Sequence, residues 1–474
     1  MVDIPSPPAT NTTLKLRERA LRAGVWTVGA YGLDLGTRLL STLVMTRLLF
    51  PAAFGVVAAA MAIIVGLGLM SDFGVRAVII QSPRGEDEDF LRSAWVFQAS
   101  RGIILWSVLL LICIIVNLPA VHSGFPVDSV FADTSFPFIA SALGISLIFA
   151  GLESTVLGLN ARRLNLKPLL LVDFTGKLLS IPIMFAWAWF LPNAWALVAG
   201  SLASSAVRLV MSHIAVPGPR MAFRWKADHI DEILHFGKWI TVSSIASFIT
   251  SQSDVIVLGL LLPSSSLGIY FIAKMLVGTV EGLLERLQSS LSLPIFGEVL
   301  RRDPRNFRNR YYRFRLPLDL AAGFCSGFIF IAGSLIVSLL YDTRYTNAGP
   351  MLQTLAIGIA LYPLQFIRSA FTAIGKTYIP ASVAIVEAVS LITFMISGFM
   401  VFGTTGAVVG IAGHRVIPSL AFWILSYRKR WFSFLLEIRM VAIFIGGLLI
   451  GELFLLASDW IGLPAIRHLL LNPY

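Results

Sequence analysis

The hydrophobic pattern along the chain is a series of apolar runs divided by short polar breaks. A run of about 20 apolar residues is what a helix needs to cross about 30 Å of hydrocarbon. Such runs fall at 24–49, 53–80, 93–117, 135–160, 167–191 and 194–214. A second set follows at 234–261, 265–295, 314–340, 350–373, 380–402 and 404–426, and one more covers 438–458. The pattern predicts an all-α polytopic membrane protein. Composition agrees: 57% of the 474 residues are hydrophobic, 13% are charged, and the mean hydropathy is +0.81. A water-soluble domain of this size could not cover so much apolar surface.

The polar breaks predict orientation. Basic residues cluster in alternate breaks: Arg84 and Arg92, Arg162 and Arg163, then Arg220, Arg224 and Lys226. "RRDPRNFRNRYYRFR" (301–315), Lys376 and "YRKR" (427–430) continue the series, whereas 117–135 and 261–266 contain no Lys or Arg. The positive-inside rule puts the basic side, with the N-terminus, in the cytoplasm. The net charge of +11 is therefore a topology signal and does not call for nucleic acid. The last span leaves the C-terminus outside, unless "WIGLPAIRHLLLNPY" re-enters or lies flat. The N-terminal "MVDIPSPPATNTT" is polar, and no cleavable signal peptide is expected. Cys113 and Cys325 lie in apolar helices and read as packing residues.

The two halves resemble each other at an offset of about 213: Gly24 pairs with Gly237, Trp26 with Trp239, and Gly55 with Gly268. At 214, Gly144 matches Gly358 and Asp173 matches Glu387. Six spans per half is an even number, so the repeats run parallel, about an axis along the membrane normal. The expected domains are a polar tail (1–20), an N-lobe (21–215), a linker (216–233), a C-lobe (234–426) and a basic loop with the extra span (427–474). Two lobes facing a central cavity is an alternating-access arrangement.

Ionisable residues lie inside the spans, where they are costly unless paired or wetted. Tyr31, Asp34, Arg38 and Ser41 share one helix face. The same face of the first helix in the second half carries Ser244, Ser247, Ser251 and Asp254, and the next span carries Lys274, Glu281, Glu285 and Gln288. Counting the rise per residue, Asp34, Arg38, Lys177, Glu281, His414 and Arg415 lie nearest the midplane. Glu153, Asp173, Asp319, Arg368 and Glu387 lie nearer the basic end, and Arg208 is another ionisable group within a span. Asp34 with Arg38, and Asp173 with Lys177, are four apart and could neutralise each other within a helix. Lys274 and Arg415 have no acid three or four residues away, which favours an anion-facing role. His414 could carry a proton or be a packing residue. The expected cavity is large, mixed and basic-leaning, suited to a bulky polar anion. No Ser-His-Asp set, HExxH or P-loop is present, so no catalytic residue, metal or cofactor is expected. Transport would be driven by an ion gradient, the membrane potential or consumption of the product. The less basic face carries no sizeable loop, the longest break there being 117–135, which argues against a membrane polymerase or glycosyltransferase. A cation-coupled small-molecule exporter is the main alternative.

"TRLLFPAAFGVVAAAMAIIVGLGLMSDFGVRAVIIQ" (46–81) resembles the start of bacterial polysaccharide-export flippases, with Arg47, Leu49, Phe54 and Gly55 at the first turn, then Asp72 and Gly74. "RSAFTAIGKTYIP" (368–380) resembles the turn between their tenth and eleventh helices. These are Wzx-type flippases of the MOP superfamily, which includes MATE antiporters and lipid II flippases. The resemblance implies a V-shaped bundle of two six-helix lobes in the bacterial inner membrane; the thirteenth apolar span departs from that twelve-helix pattern as one or two extra C-terminal helices, of which lipid II flippases have two. It also implies movement of an undecaprenyl-diphosphate-linked oligosaccharide to the outer leaflet, for exopolysaccharide or O-antigen synthesis. Membrane lipids, a polymerase and chain-length or export proteins are the implied partners. Arg and Lys would meet the diphosphate, and Asp34, Glu281 and His414 would couple an ion.

Overall fold

The computed structural model describes residue 29 and residues 32–460. The expectations for Tyr31, for the polar N-terminal tail and for 461–474 lie outside the described residues. Among the described residues the chain is helical with no strand. An isolated apolar segment can satisfy its backbone in hydrocarbon only as a helix.

Helix α1 covers 32–48. It is followed by α2 (Pro51–Met70), α3 (Val75–Gln81), α4 (Glu88–Val116), α5 (Phe136–Leu152), α6 (Val156–Arg162), α7 (Lys167–Phe190) and α8 (Trp195–Ile214). Then come α9 (Ala227–Leu261), α10 (Ser264–Arg302), α11 (Phe307–Leu340), α12 (Ala348–Leu361) and α13 (Arg368–Ala373). The series ends with α14 (Tyr378–Gly413), α15 (Val416–Arg428) and α16 (Phe434–Trp460). Among the described residues, 10 helices are long and apolar enough to span a bilayer, or 11 if the α5–α6 pair, bent by 58°, is one broken span. One of the 10 is the 51-residue stretch Tyr378–Arg428. It folds back on itself at Phe402 (φ −129°) and Gly403 (φ +59°, ψ −141°). The backbone of Gly398 packs on Gly406, and that of Gly410 on Phe394, so the stretch is an antiparallel hairpin of two helices.

The chain divides into two compact units. Unit 1 is formed by the described part of Met1–Leu49 with Ile63–Gly124 and Thr134–Ile245. At one end its core is Val75, Ile79, Phe90, Leu91, Ile230 and Ile233. The run expected as one span over 53–80 is interrupted here. Gly74 adopts φ +61°, and its N–H donates to Asp72 Oδ1 at 2.8 Å. The interruption frees the Gly68 carbonyl, which accepts from Arg101 Nη2 at 3.0 Å, while Arg101 Nε donates to Ser71 Oγ at 3.1 Å. At the polar end, Arg162 Nη1 donates to the carbonyls of Ile79 (3.0 Å) and Ile80 (3.1 Å), closing the C-terminus of α3. Arg163 pairs with Glu86 at 2.7 Å and holds its carboxyl below the usual carboxylate range.

Unit 2 is formed by Phe50–Ala62, Phe125–Asp133 and Ala246–Tyr474. The starts of α2 and α10 cross within it. Gly55 lies against the Ser264 carbonyl, and Gly268 against the Pro51 carbonyl. Ser264 and Gly268 are the counterparts of Pro51 and Gly55 at the repeat offset, so the contact is reciprocal, as at a two-fold axis. A buried ionic network ties α16 to α11. Arg315, fully buried, donates to Glu437 (2.8 and 2.7 Å) and to Asp319 Oδ1 (2.8 Å). Arg439 donates to Asp319 Oδ2 at 2.8 Å, and the Tyr312 hydroxyl donates to Glu437 Oε1 at 2.6 Å. Every charge in the network has a partner, the condition under which buried ions are tolerated.

Candidate functional site

Each unit carries its own charged cavity. That of unit 2 measures about 380 Å³ and is walled by α9, α10, α12 with the turn after it, α14 and the junction between α14 and α15. On its α9 side, Lys274 Nζ donates to Asp254 Oδ1 (2.7 Å) and to the Ser251 carbonyl (2.9 Å). The Tyr270 hydroxyl donates to Asp254 Oδ2 at 2.5 Å. In the centre, Arg415 grips Glu281 with both terminal nitrogens, Nη2 lying 3.1 Å from Oε2. Its guanidinium also lies 5.7 Å from the Tyr362 ring centre.

Local sequence chemistry creates these positions. Pro363 lacks an N–H, and the chain tightens into a 3₁₀ turn over Tyr362–Ile367. Tyr362 N–H therefore bonds Ile359 O rather than Gly358 O, and the freed Gly358 carbonyl accepts from Arg415 Nη1 at 3.2 Å. Pro418 likewise gives no N–H to the His414 carbonyl four residues before it, which instead accepts from Ser390 Oγ at 3.2 Å. The turn carries Gln365 and Arg368 to Glu387. Arg368 Nη2 donates to Gln365 Oε1 (2.9 Å) and Glu387 Oε2 (3.1 Å), and Gln365 Nε2 donates to Glu387 Oε1 (3.1 Å). His414 Nδ1 lies 2.5 Å from the Ile411 carbonyl, which can only accept, so Nδ1 carries the hydrogen. Its Nε2 faces Glu387 Oε1 at 4.0 Å. Glu285 lines the same wall with no ion pair within 4 Å among the described residues, and the buried Gln288 Oε1 has no hydrogen-bond partner.

The cavity of unit 1 is smaller, about 140 Å³. Arg208 sits between Glu153 (3.2 Å) and Asp173 (3.3 Å). Glu153 occupies the bend between α5 and α6, where the helix ladder is interrupted. Elsewhere in the unit Lys177 on α7 pairs with Asp34 on α1. Ser41 Oγ donates to the Arg38 carbonyl at 3.0 Å, inside its own helix.

Several expectations are corrected by this geometry. Asp34 takes Lys177 rather than Arg38, and Asp173 takes Arg208 rather than Lys177. Lys274 and Arg415, expected to face an anion for want of an acid three or four residues away, each hold a carboxylate from a neighbouring helix. The unit 2 cavity is not basic-leaning: Asp254, Glu281, Glu285 and Glu387 face Lys274, Arg368 and Arg415. Of the expected substrate residues, Ser251, Asp254, Lys274, Glu281 and Arg415 line this cavity together, while Arg208 lines that of unit 1. Tyr270 was missed, although it extends the α10 stripe back by four residues from Lys274. Gln365 was missed because it lies in a 3₁₀ turn with no helical period to follow.

Comparison with known proteins gives the same picture. A family profile described as "Polysaccharide biosynthesis protein" matches residues 44–350. The lipopolysaccharide biosynthesis protein WzxC of Escherichia coli (strain K12) is 21% identical over 350 residues, covering 73% of this chain and 68% of that protein. The fold is shared with the lipid II flippase MurJ in an inward closed conformation, with TM-score 0.64 at 15% identity over 92% of this chain and 93% of that one. It is also shared with a multidrug resistance MATE family transporter of the MOP superfamily in an inward-facing conformation, with TM-score 0.59 at 15% identity over 87% of this chain and 94% of that one. The chain, a charged, multi-span helical bundle matched by this profile over more than half its length, belongs to the polysaccharide biosynthesis protein family.

Proposed function

We propose that the protein moves an undecaprenyl-diphosphate-linked oligosaccharide from the cytoplasmic to the periplasmic leaflet of a bacterial inner membrane by alternating access, with its N-terminus in the cytoplasm. The observation that carries the reading is the pairing in the unit 2 cavity, where every base is clasped by a carboxylate of the same unit. A phosphate matches the planar fork of arginine at least as well as a carboxylate does. An arriving diphosphate can therefore take Arg415 from Glu281, and the released carboxylate is free to bind a cation. Cargo binding and cation uptake are then two sides of one exchange. Glu281 is the exchanging acid in unit 2 and Asp34, on Lys177, its counterpart in unit 1. His414, whose Nε2 faces Glu387, is the third residue we assign to ion coupling. Arg38, Ser41 and Arg208 contribute in unit 1. Ser251, Asp254 and Lys274 contribute in unit 2, where Glu285 and Gln288 have capacity to spare for sugar hydroxyls.

The test is a reconstituted one. Proteoliposomes carry a purified undecaprenyl-diphosphate oligosaccharide, and an impermeant oxidant reads the glycan exposed on the outer face. The reading expects protein-dependent exposure of initially protected glycan, which Glu281→Gln lowers. Protection that is unchanged by active protein would overturn it.

A further inference from the structure

We propose that the polar ends of α10 and α11 form a binding site for an anionic phospholipid, with an apolar crevice for an acyl chain beneath a rim of arginines. The crevice, about 90 Å³, is lined by Leu287, Phe296, Phe314, Pro317, Leu318 and Phe366. Its floor is buried: Phe296, Phe366 and Leu318 are at most 5% exposed. Its mouth is open, with Leu287 46% and Phe314 42% exposed. The crevice shares no lining residue with the charged cavity of unit 2, so it is not part of that site.

The rim follows from helix periodicity. On α11, Arg310, Arg313, Phe314 and Pro317 fall on one face, at spacings of three and four. On α10, Ile295 and Arg302 stand seven residues apart, again on one face. Residues 301–313 hold six arginines and one acid. Arg302 and Arg310 reach single carboxylates, Glu298 at 3.3 Å and Asp303 at 3.4 Å. Arg305, Arg308 and Arg313 are exposed and have no ion pair among the described residues. An exposed phenylalanine beside unneutralised arginines is poorly satisfied in water and well satisfied by an amphiphile. A soluble anion would use the rim and leave the crevice empty. An anionic phospholipid uses both, because its phosphate suits the guanidinium fork and its chain fills the apolar slot. Such lipids are also the abundant anions of the membrane surface.

The full chain is placed in phosphatidylcholine nanodiscs, and thermal unfolding is followed as phosphatidylglycerol is titrated in. Wild type should be stabilised with a saturating midpoint. The triple variant Arg302→Gln/Arg310→Gln/Arg313→Gln should shift that midpoint by about tenfold or more, since each cation near an anionic surface is worth roughly five-fold. Phe314→Ala should weaken the response with all arginines in place. Unchanged unfolding of each variant in pure phosphatidylcholine reports an intact fold. An undiminished response in the triple variant overturns the proposal. So does a loss in the triple variant that Phe314→Ala does not share, which would mean a diffuse basic surface. A response to undecaprenyl phosphate with none to phosphatidylglycerol also overturns it, assigning the crevice to a carrier lipid. None of these outcomes depends on whether the protein transports a glycan.

Discussion

Replacing Gly268 by alanine tests the tightest helix crossing in unit 2. A Cβ at Gly268 would stand 1.8 Å from the Pro51 carbonyl oxygen and 3.0 Å from Gly55 N. A Cβ at Gly55 would meet the Ser264 carbonyl oxygen at 1.8 Å and Gly268 N at 3.0 Å. Carbon approaches a carbonyl oxygen to about 3.3 Å, so the starts of α2 and α10 have to separate by about 1.5 Å. Backbone atoms are in the way, so no rotamer change relieves the clash. Overpacking of this kind costs about 1–3 kcal/mol. Removing a helical glycine returns about 1 kcal/mol of helix propensity, which leaves a net loss of up to about 2 kcal/mol. Thermal unfolding in detergent measures it, with Gly446→Ala as the control, since a Cβ there meets nothing within 4 Å. The double variant Gly55→Ala/Gly268→Ala should lose less than the sum of the two, because both changes force the same separation. If Gly268→Ala melts at or above the wild-type temperature, the close crossing is not a constraint on the fold and the reasoning fails.

The remaining predictions concern charges and one strained turn. Glu437→Ala strips the bidentate partner from the fully buried Arg315 and should cost about 3–5 kcal/mol in the same unfolding assay; a variant as stable as wild type would mean the network does not hold α16 in place. Gly403→Ala forces a side chain onto φ +59°, ψ −141°, and should cost about 1–3 kcal/mol, while a neutral result would show the hairpin turn can relax. Arg415→Ala should reduce glycan exposure in the proteoliposome assay far more than it reduces folding yield, and full activity would remove Arg415 from the cargo path. Asp34→Asn breaks a half-exposed pair with Lys177 and should change stability by under about 1 kcal/mol. Any large loss of transport in that variant then reports function, whereas a large drop in melting temperature would contradict the exposed-pair reading.

The helices were legible because a bilayer imposes one length and one backbone solution, so apolar runs alone located them. The offset of 213 pairs Gly55 with Gly268 in the sequence, and the structure brings those two positions into a close approach that admits only small residues. The partners of the buried charges were not legible. The only pairing rule a sequence offers is three or four residues along a helix, and it pointed from Asp34 to Arg38 and from Asp173 to Lys177. The structure instead joins Asp34 to Lys177 across 143 residues and Glu281 to Arg415 across 134. Which side chains meet across helices depends on helix rotation, and that is set by packing. Arg315 shows the same limit. It reads as one more cation in a basic loop, yet its partner Glu437 lies 122 residues away, on the extra helix. The backbone breaks had a partial signal. Pro363 and Pro418 mark where carbonyls are freed, but only the structure shows that Arg415 and Ser390 take up those acceptors.

The most direct test of the central claim is the leaflet position of the lipid-linked oligosaccharide in the host after depletion of this protein. Cells are treated with a membrane-impermeant glycan-labelling reagent, and the protected intermediate is quantified. The account predicts that a complete intermediate accumulates in the protected inner leaflet and that wild-type protein restores its exposure. A complete intermediate already open to the reagent, or one that is absent or shortened, would contradict it.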